Sequence, residues 1–142
     1  MLPARLAAGL ALMSFASMKA LFGVTTLLEL GAGVALLCFP SPFVVVLVGK
    51  PLGSPAALTV ARVGGAALLA LGLACWIARG DTQNRAAFGL TVAMLFYNVA
   101  AVAVLAYSGV GYGLYGPLLW PGVVLHGLMG VWCLACAVGN SR

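Results

Sequence analysis

The stretch AAFGLTVAMLFYNVAAVAVLAYS, residues 86–108, runs for 23 residues without a single charge. Wound as one helix at 1.5 Å per residue it would measure about 34 Å, enough to cross a hydrocarbon core of ~30 Å with slight tilt. In lipid no water is on hand for the backbone N–H and C=O groups. A helix satisfies them within the segment, so a long apolar run of this kind reads as a membrane span.

Three more runs have the same character: 20–39, 55–78 and 117–138. Of the 142 residues, 64% are hydrophobic and only 6% charged, against roughly a quarter charged in soluble domains. Such a chain cannot clothe a globular surface in polar groups. The expected architecture is all-α, an integral membrane four-helix bundle formed by residues 20–142, with 1–19 as an N-terminal extension or interfacial segment. No length is left for a soluble domain.

Glycine and proline punctuate the gaps in FPSP (39–42), GKPLGSP (49–55) and GVGYGLYGP (109–117). The apolar, β-branched run Phe43–Val48 has six residues, too few for a fifth span, and reads as a short interfacial stretch. The loop RGDTQNR (79–85) is the one strongly hydrophilic connection. Basic residues mark the cytoplasmic side of membrane proteins. That places this loop inside, together with Arg5, Lys19 and Arg142, and leaves Lys50 as the exception outside. Four spans with both termini in the cytoplasm follow, with Tyr112, Tyr115 and Trp120 in an outer aromatic belt. The net charge of +5 is scattered at span ends, unlike the clustered basic face of a nucleic-acid binder. The expected partners are membrane lipids and other membrane subunits or further copies of the chain.

Residues 1–18 have a basic start and an apolar middle, as signal peptides do, but no clear small-x-small cleavage site precedes Lys19. Met18 followed by Lys19 would also serve as a start, making the first seventeen residues an extension. A straight helix from 6 to 39 would be about 51 Å long, so a break near Lys19 is expected.

Each span carries one conspicuous polar group: Glu29, Arg62, Asn98 and His126. Ionisable side chains at membrane depth cost about 2.5–3.5 kcal/mol on insertion scales, so they face protein or water and become candidates for a site. Small residues three or four positions away (Gly33 by Glu29, Gly65 by Arg62, Gly122 and Gly130 by His126) suit close helix contact and point these faces into the bundle. Counted from the cytoplasmic ends, Glu29 lies about 13 Å deep, Asn98 and His126 about 18 Å, and Arg62 about 24 Å. Arg62 either bridges to Glu29 with help from tilt or water, or snorkels to the outer headgroups. Asn98 and His126 match in depth. They serve as a single hydrogen bond between helices or as the polar part of a ligand pocket.

The pair Cys133-Leu-Ala-Cys136 resembles the C-x-x-C of four-helix thiol oxidoreductases of the vitamin K epoxide reductase type. That chemistry needs a second cysteine pair on an outer loop, and residues 109–116 contain none. A pair at the cytoplasmic end stays reduced and reads as packing. One histidine and two cysteines on one helix give too few ligands for zinc, so no metal and no cofactor is expected. Paired carboxylates, a phosphate-cradling glycine loop and a Ser–His–Asp set are also absent, and no catalytic residue is assigned.

The size, the four spans, LLELGAGVALL (27–37) and GPLLWPGVVLHG (116–127) resemble bacterial inner-membrane proteins of the DoxX-like four-helix type. The resemblance covers most of the chain after Met18 and implies a small partner subunit of a membrane redox complex; it carries over no site residue. Two functions are expected from the sequence. One is a non-catalytic accessory or scaffold subunit of a membrane complex, or a homo-oligomer. The other is a small-molecule or proton-coupled binder or carrier that uses Glu29, Arg62, Asn98 and His126.

Overall fold

Ser54 and Asn84 each stand just before an apolar run, where a side-chain oxygen can satisfy a free N–H at a helix start. In the computed structural model, which describes the backbone of residues 4–140 and the side chains of 17–139, both do so. Ser54 Oγ accepts from Ala57 N at 3.1 Å and Asn84 Oδ1 accepts from Ala87 N at 2.7 Å. Asp81 supports the second cap, accepting from Asn84 Nδ2 at 3.1 Å. The hydrophilic loop is thus a capping device as well as a topological signal.

The elements are α1 (Ala4–Cys38), α2 (Pro40–Val48), α3 (Pro55–Ala78), α4 (Arg85–Tyr112) and α5 (Leu119–Asn140), with no strand among the described residues. Four segments are long and apolar enough to span a bilayer: Ser17–Cys38, Pro55–Ala78, Arg85–Tyr112 and Leu119–Gly139. The chain is therefore an all-α, multi-pass membrane protein. The run 43–48 falls in α2, whose nine residues extend about 14 Å, half the thickness of the hydrocarbon.

One expectation is corrected. No break occurs near Lys19; α1 continues through it as a single helix of 35 residues. Residues 4–22 are rich in alanine, leucine and methionine and contain no proline, so nothing in them opposes helix. Lys19 is exposed on this continuous helix.

The spans pack as two antiparallel pairs. In α1–α3 the backbones meet at glycine: a methyl on Gly33 would lie 2.9 Å from the Gly65 carbonyl, and one on Gly65 would lie 2.8 Å from the Gly33 carbonyl. In α4–α5, Gly109 receives Leu119 and Trp120. Without a hydrophobic driving force between helices in lipid, such close approach supplies the dispersion contact that holds them. Contact between α3 and α4 is sparse.

The bundle is solid at one end. Met18, Phe22, Cys75, Met94, Cys133 and Cys136 fill its centre on the side of the 79–84 loop. Toward the other end the pairs part and α2 lies over the gap, tied down where Leu118 N donates to Val46 O at 3.1 Å. Apolar side chains such as Val60, Phe96, Val110 and Val131 are exposed over the outer faces, as lipid contact requires.

Candidate functional site

Asn98 is the best-defined polar group in the spans. Its Nδ2 donates to Met94 O at 2.8 Å, and a carbonyl can only accept, so the orientation of the amide is fixed. Its Oδ1 therefore faces His126 Nδ1, 2.9 Å away. Because an amide oxygen cannot donate, Nδ1 carries the proton, and in the neutral ring Nε2 is left as an acceptor. The depth match between Asn98 and His126 read from the sequence is thus a direct hydrogen bond between α4 and α5.

Tyr97, the neighbour of Asn98, completes the arrangement. Its ring stands edge-on to His126, centroids 5.6 Å apart. Its hydroxyl donates to Glu29 Oε2 at 3.3 Å, joining α1 to α4. Glu29 and Asn98 are both buried. The sequence reading missed Tyr97 because tyrosine is commonest at membrane interfaces. The available signal was its place in mid-span, where a phenol must find a partner.

Around these residues lies a cavity of about 310 Å³. Its polar lining is Thr25, Glu29, Tyr97, Asn98 and His126, and its apolar walls include Phe43 and Leu47 of α2 and Leu125 of α5. A smaller cavity of about 270 Å³ lies on another side of Asn98 and His126, between α4 and α5, and is otherwise apolar. Thr25 is the anomaly. It is 1% exposed, and its Oγ1 is buried without any hydrogen-bond partner. The adjacent Thr26 bonds to Phe22 O at 2.7 Å and Gly72 O at 3.2 Å, so the helix backbone offers such bonds nearby.

Three of the four polar residues singled out in the sequence, Glu29, Asn98 and His126, line this one cavity. Arg62 does not line it. Gly33 lies opposite Gly65, and Gly72 lies against Glu29 and Leu30. In that register Arg62 falls level with Cys38, nine residues along α1 from Glu29, or about 14 Å of axial rise. Arg62 is exposed, and no ion pair joins it to Glu29. The sparse hydrogen bonding of Glu29, to Tyr97 alone, makes a double-mutant cycle decisive. Glu29→Gln and Arg62→Gln should act additively on unfolding in mild detergent, within about 0.5 kcal/mol. The same cycle on Asn98→Ala and His126→Ala should give a coupling of about 0.6 kcal/mol, the average for hydrogen bonds between membrane helices, and at most about 1.7 kcal/mol.

Cys133 and Cys136 are buried free thiols in the solid end of the bundle. Cys136 Sγ lies 3.6 Å from Ser17 Oγ, which also accepts from Trp132 Nε1 at 2.8 Å. Among the described residues no three His, Cys, Asp or Glu side chains are grouped as metal ligands. Comparison with known family patterns, characterised proteins and solved structures finds no match to this chain.

Proposed function

We propose that this membrane protein binds a small molecule in the cavity between its helix pairs. The observation that carries the reading is the convergence of Thr25 and Glu29 of α1, Tyr97 and Asn98 of α4 and His126 of α5 on one cavity, with the Thr25 Oγ1 left without a hydrogen-bond partner. A polar group left unpaired away from water costs about 1–3 kcal/mol. A ligand that hydrogen-bonds there removes the cost. The volume, about 310 Å³, and a mostly apolar wall with few convergent polar groups are those of small-molecule sites. In this reading the chain lies in a bacterial inner membrane with both termini in the cytoplasm. A cysteine placed at Asn84 should then react with an impermeant thiol reagent only in inverted vesicles.

Native mass spectrometry of protein extracted in mild detergent tests binding. The expected result is a protomer that keeps one small organic molecule after detergent is stripped, and releases it into solvent extraction. An empty protomer, or an assembly with other subunits and no extractable molecule, would count against it.

A second reading has its own support. Gly31, Gly64, Gly89 and Gly127 have open space where a side chain would stand, leaving small-residue surfaces on the spans that another helix could approach. That fits the accessory or scaffold subunit implied by resemblance to DoxX-like proteins, and predicts co-purifying membrane subunits.

A further inference from the structure

We infer that the cavity takes the uncharged, hydroxyl-bearing head of a membrane amphiphile, an alcohol or phenol whose tail remains in the lipid on the α2 side. The inference rests on the binding reading above and narrows it to a chemical class.

Hydrogen-bonding capacity comes first. His126 Nε2 is the nitrogen that Asn98 does not engage and is an acceptor. Glu29 has its Oε2 occupied by Tyr97, which leaves Oε1. Thr25 Oγ1 has no partner and can donate or accept. A hydroxyl both donates and accepts, so it can give its proton to His126 or Glu29 and take one from Thr25.

Charge excludes the common alternatives. No lysine or arginine lines the cavity, so a phosphate or carboxylate head would sit beside Glu29 with nothing to neutralise it. A protonated amine meets a different obstacle. Glu29 lies nine residues from the end of α1 and His126 seven from the start of α5, about 10–14 Å inside the helix ends. Drawing a charged head from the interface to that depth costs several kcal/mol, whereas a hydroxyl carries no charge to desolvate.

Size and access agree. A volume of about 310 Å³ lies at the lower end of the roughly 300–1,000 Å³ of small-molecule sites. That suffices for a head with one ring or the first part of a chain, and not for a whole lipid. Leu118, Pro121 and Leu125 line the cavity and are themselves exposed. The opening therefore runs from Leu118, just before α5, along its first turns, with about 6 Å of rise between Pro121 and Leu125, and faces acyl chains. A tail can lie out through this side while the head stays within.

Photolabelling in phosphatidylcholine nanodiscs tests the assignment. Three probes share a twelve-carbon tail with a diazirine near one end; one carries a terminal alcohol there, one a carboxylic acid, and one no head group. The alcohol should label residues lining the cavity at least tenfold more than either of the others. Thr25→Val, nearly isosteric and without the hydroxyl, should cut that labelling about tenfold, equivalent to 1.4 kcal/mol. Thr25→Ser should restore it. If the acid or the headless probe labels the cavity as well as the alcohol does, the hydroxyl assignment falls and binding stands. Alcohol labelling that Thr25→Val leaves unchanged also overturns the assignment. If no probe of the three labels the cavity, the binding reading fails with it.

Discussion

Replacing Gly33 by valine should destabilise the protein more than any other single change in α1, by about 3 kcal/mol or more. The first added carbon alone would lie 2.8–2.9 Å from Leu69 and from the Gly65 carbonyl, closer than real contacts allow. Two of these three atoms are backbone, so no side-chain rotation relieves the clash. The α1–α3 axes must separate, losing the dispersion contact along the pair, and overpacking of a tight seam typically costs 1–3 kcal/mol even for modest additions. Gly31→Ala is the control on the same helix. Its Cβ would meet nothing within 4 Å, and removing a helical glycine should stabilise by up to about 1 kcal/mol. Thermal unfolding in one detergent, followed by helical circular dichroism, compares the two directly.

The second large effect concerns the cover of the cavity. A methyl on Gly116 would overlap the Leu47 carbonyl, and it would lie 2.6 Å from Val48 N. Gly49, at the end of α2, has φ +82°, a conformation that glycine adopts without strain, and its position lies against Tyr115. Gly116→Ala should therefore push α2 off the 115–118 segment and break the Leu118–Val46 hydrogen bond, at a cost of about 2 kcal/mol. Phe43 and Leu47 would leave the cavity wall with it. Hydrogen exchange should show faster opening confined to residues 40–49 and 114–119, with α3 unaffected.

How much of this was legible in the sequence depends on the range of the interaction concerned. The spans were legible because hydrocarbon thickness imposes a length on any uncharged run, and residues 86–108 satisfy it without reference to other parts of the chain. Depth along each helix was legible for the same reason. It matched Asn98 with His126 and set Arg62 about 11 Å from Glu29. The face on which a residue lies was less secure: Gly65 does point at α1, but Arg62, three positions earlier, is exposed. Rotation of a helix is fixed by its neighbours, and in lipid both faces of α3 are apolar, so no polar–apolar pattern marked the inner one. The expected break at Lys19 rested on bilayer thickness, but a helix can extend past the hydrocarbon without bending. Tyr97 was invisible as a site because its role depends on α1 and α4 meeting across the bundle.

The central claim is that a molecule occupies the cavity beside Thr25, Glu29, Asn98 and His126, and its most direct test is to fill that space. Ala32 lines the cavity and is half-buried, so Ala32→Phe places a ring in an existing void of about 310 Å³. The measurement is the amount of small molecule extracted per mole of purified protein, for wild type and Ala32→Phe side by side. Near one equivalent from wild type and almost none from an equally well-folded Ala32→Phe is the predicted result. Equal amounts from both proteins, or none from wild type, would contradict the claim.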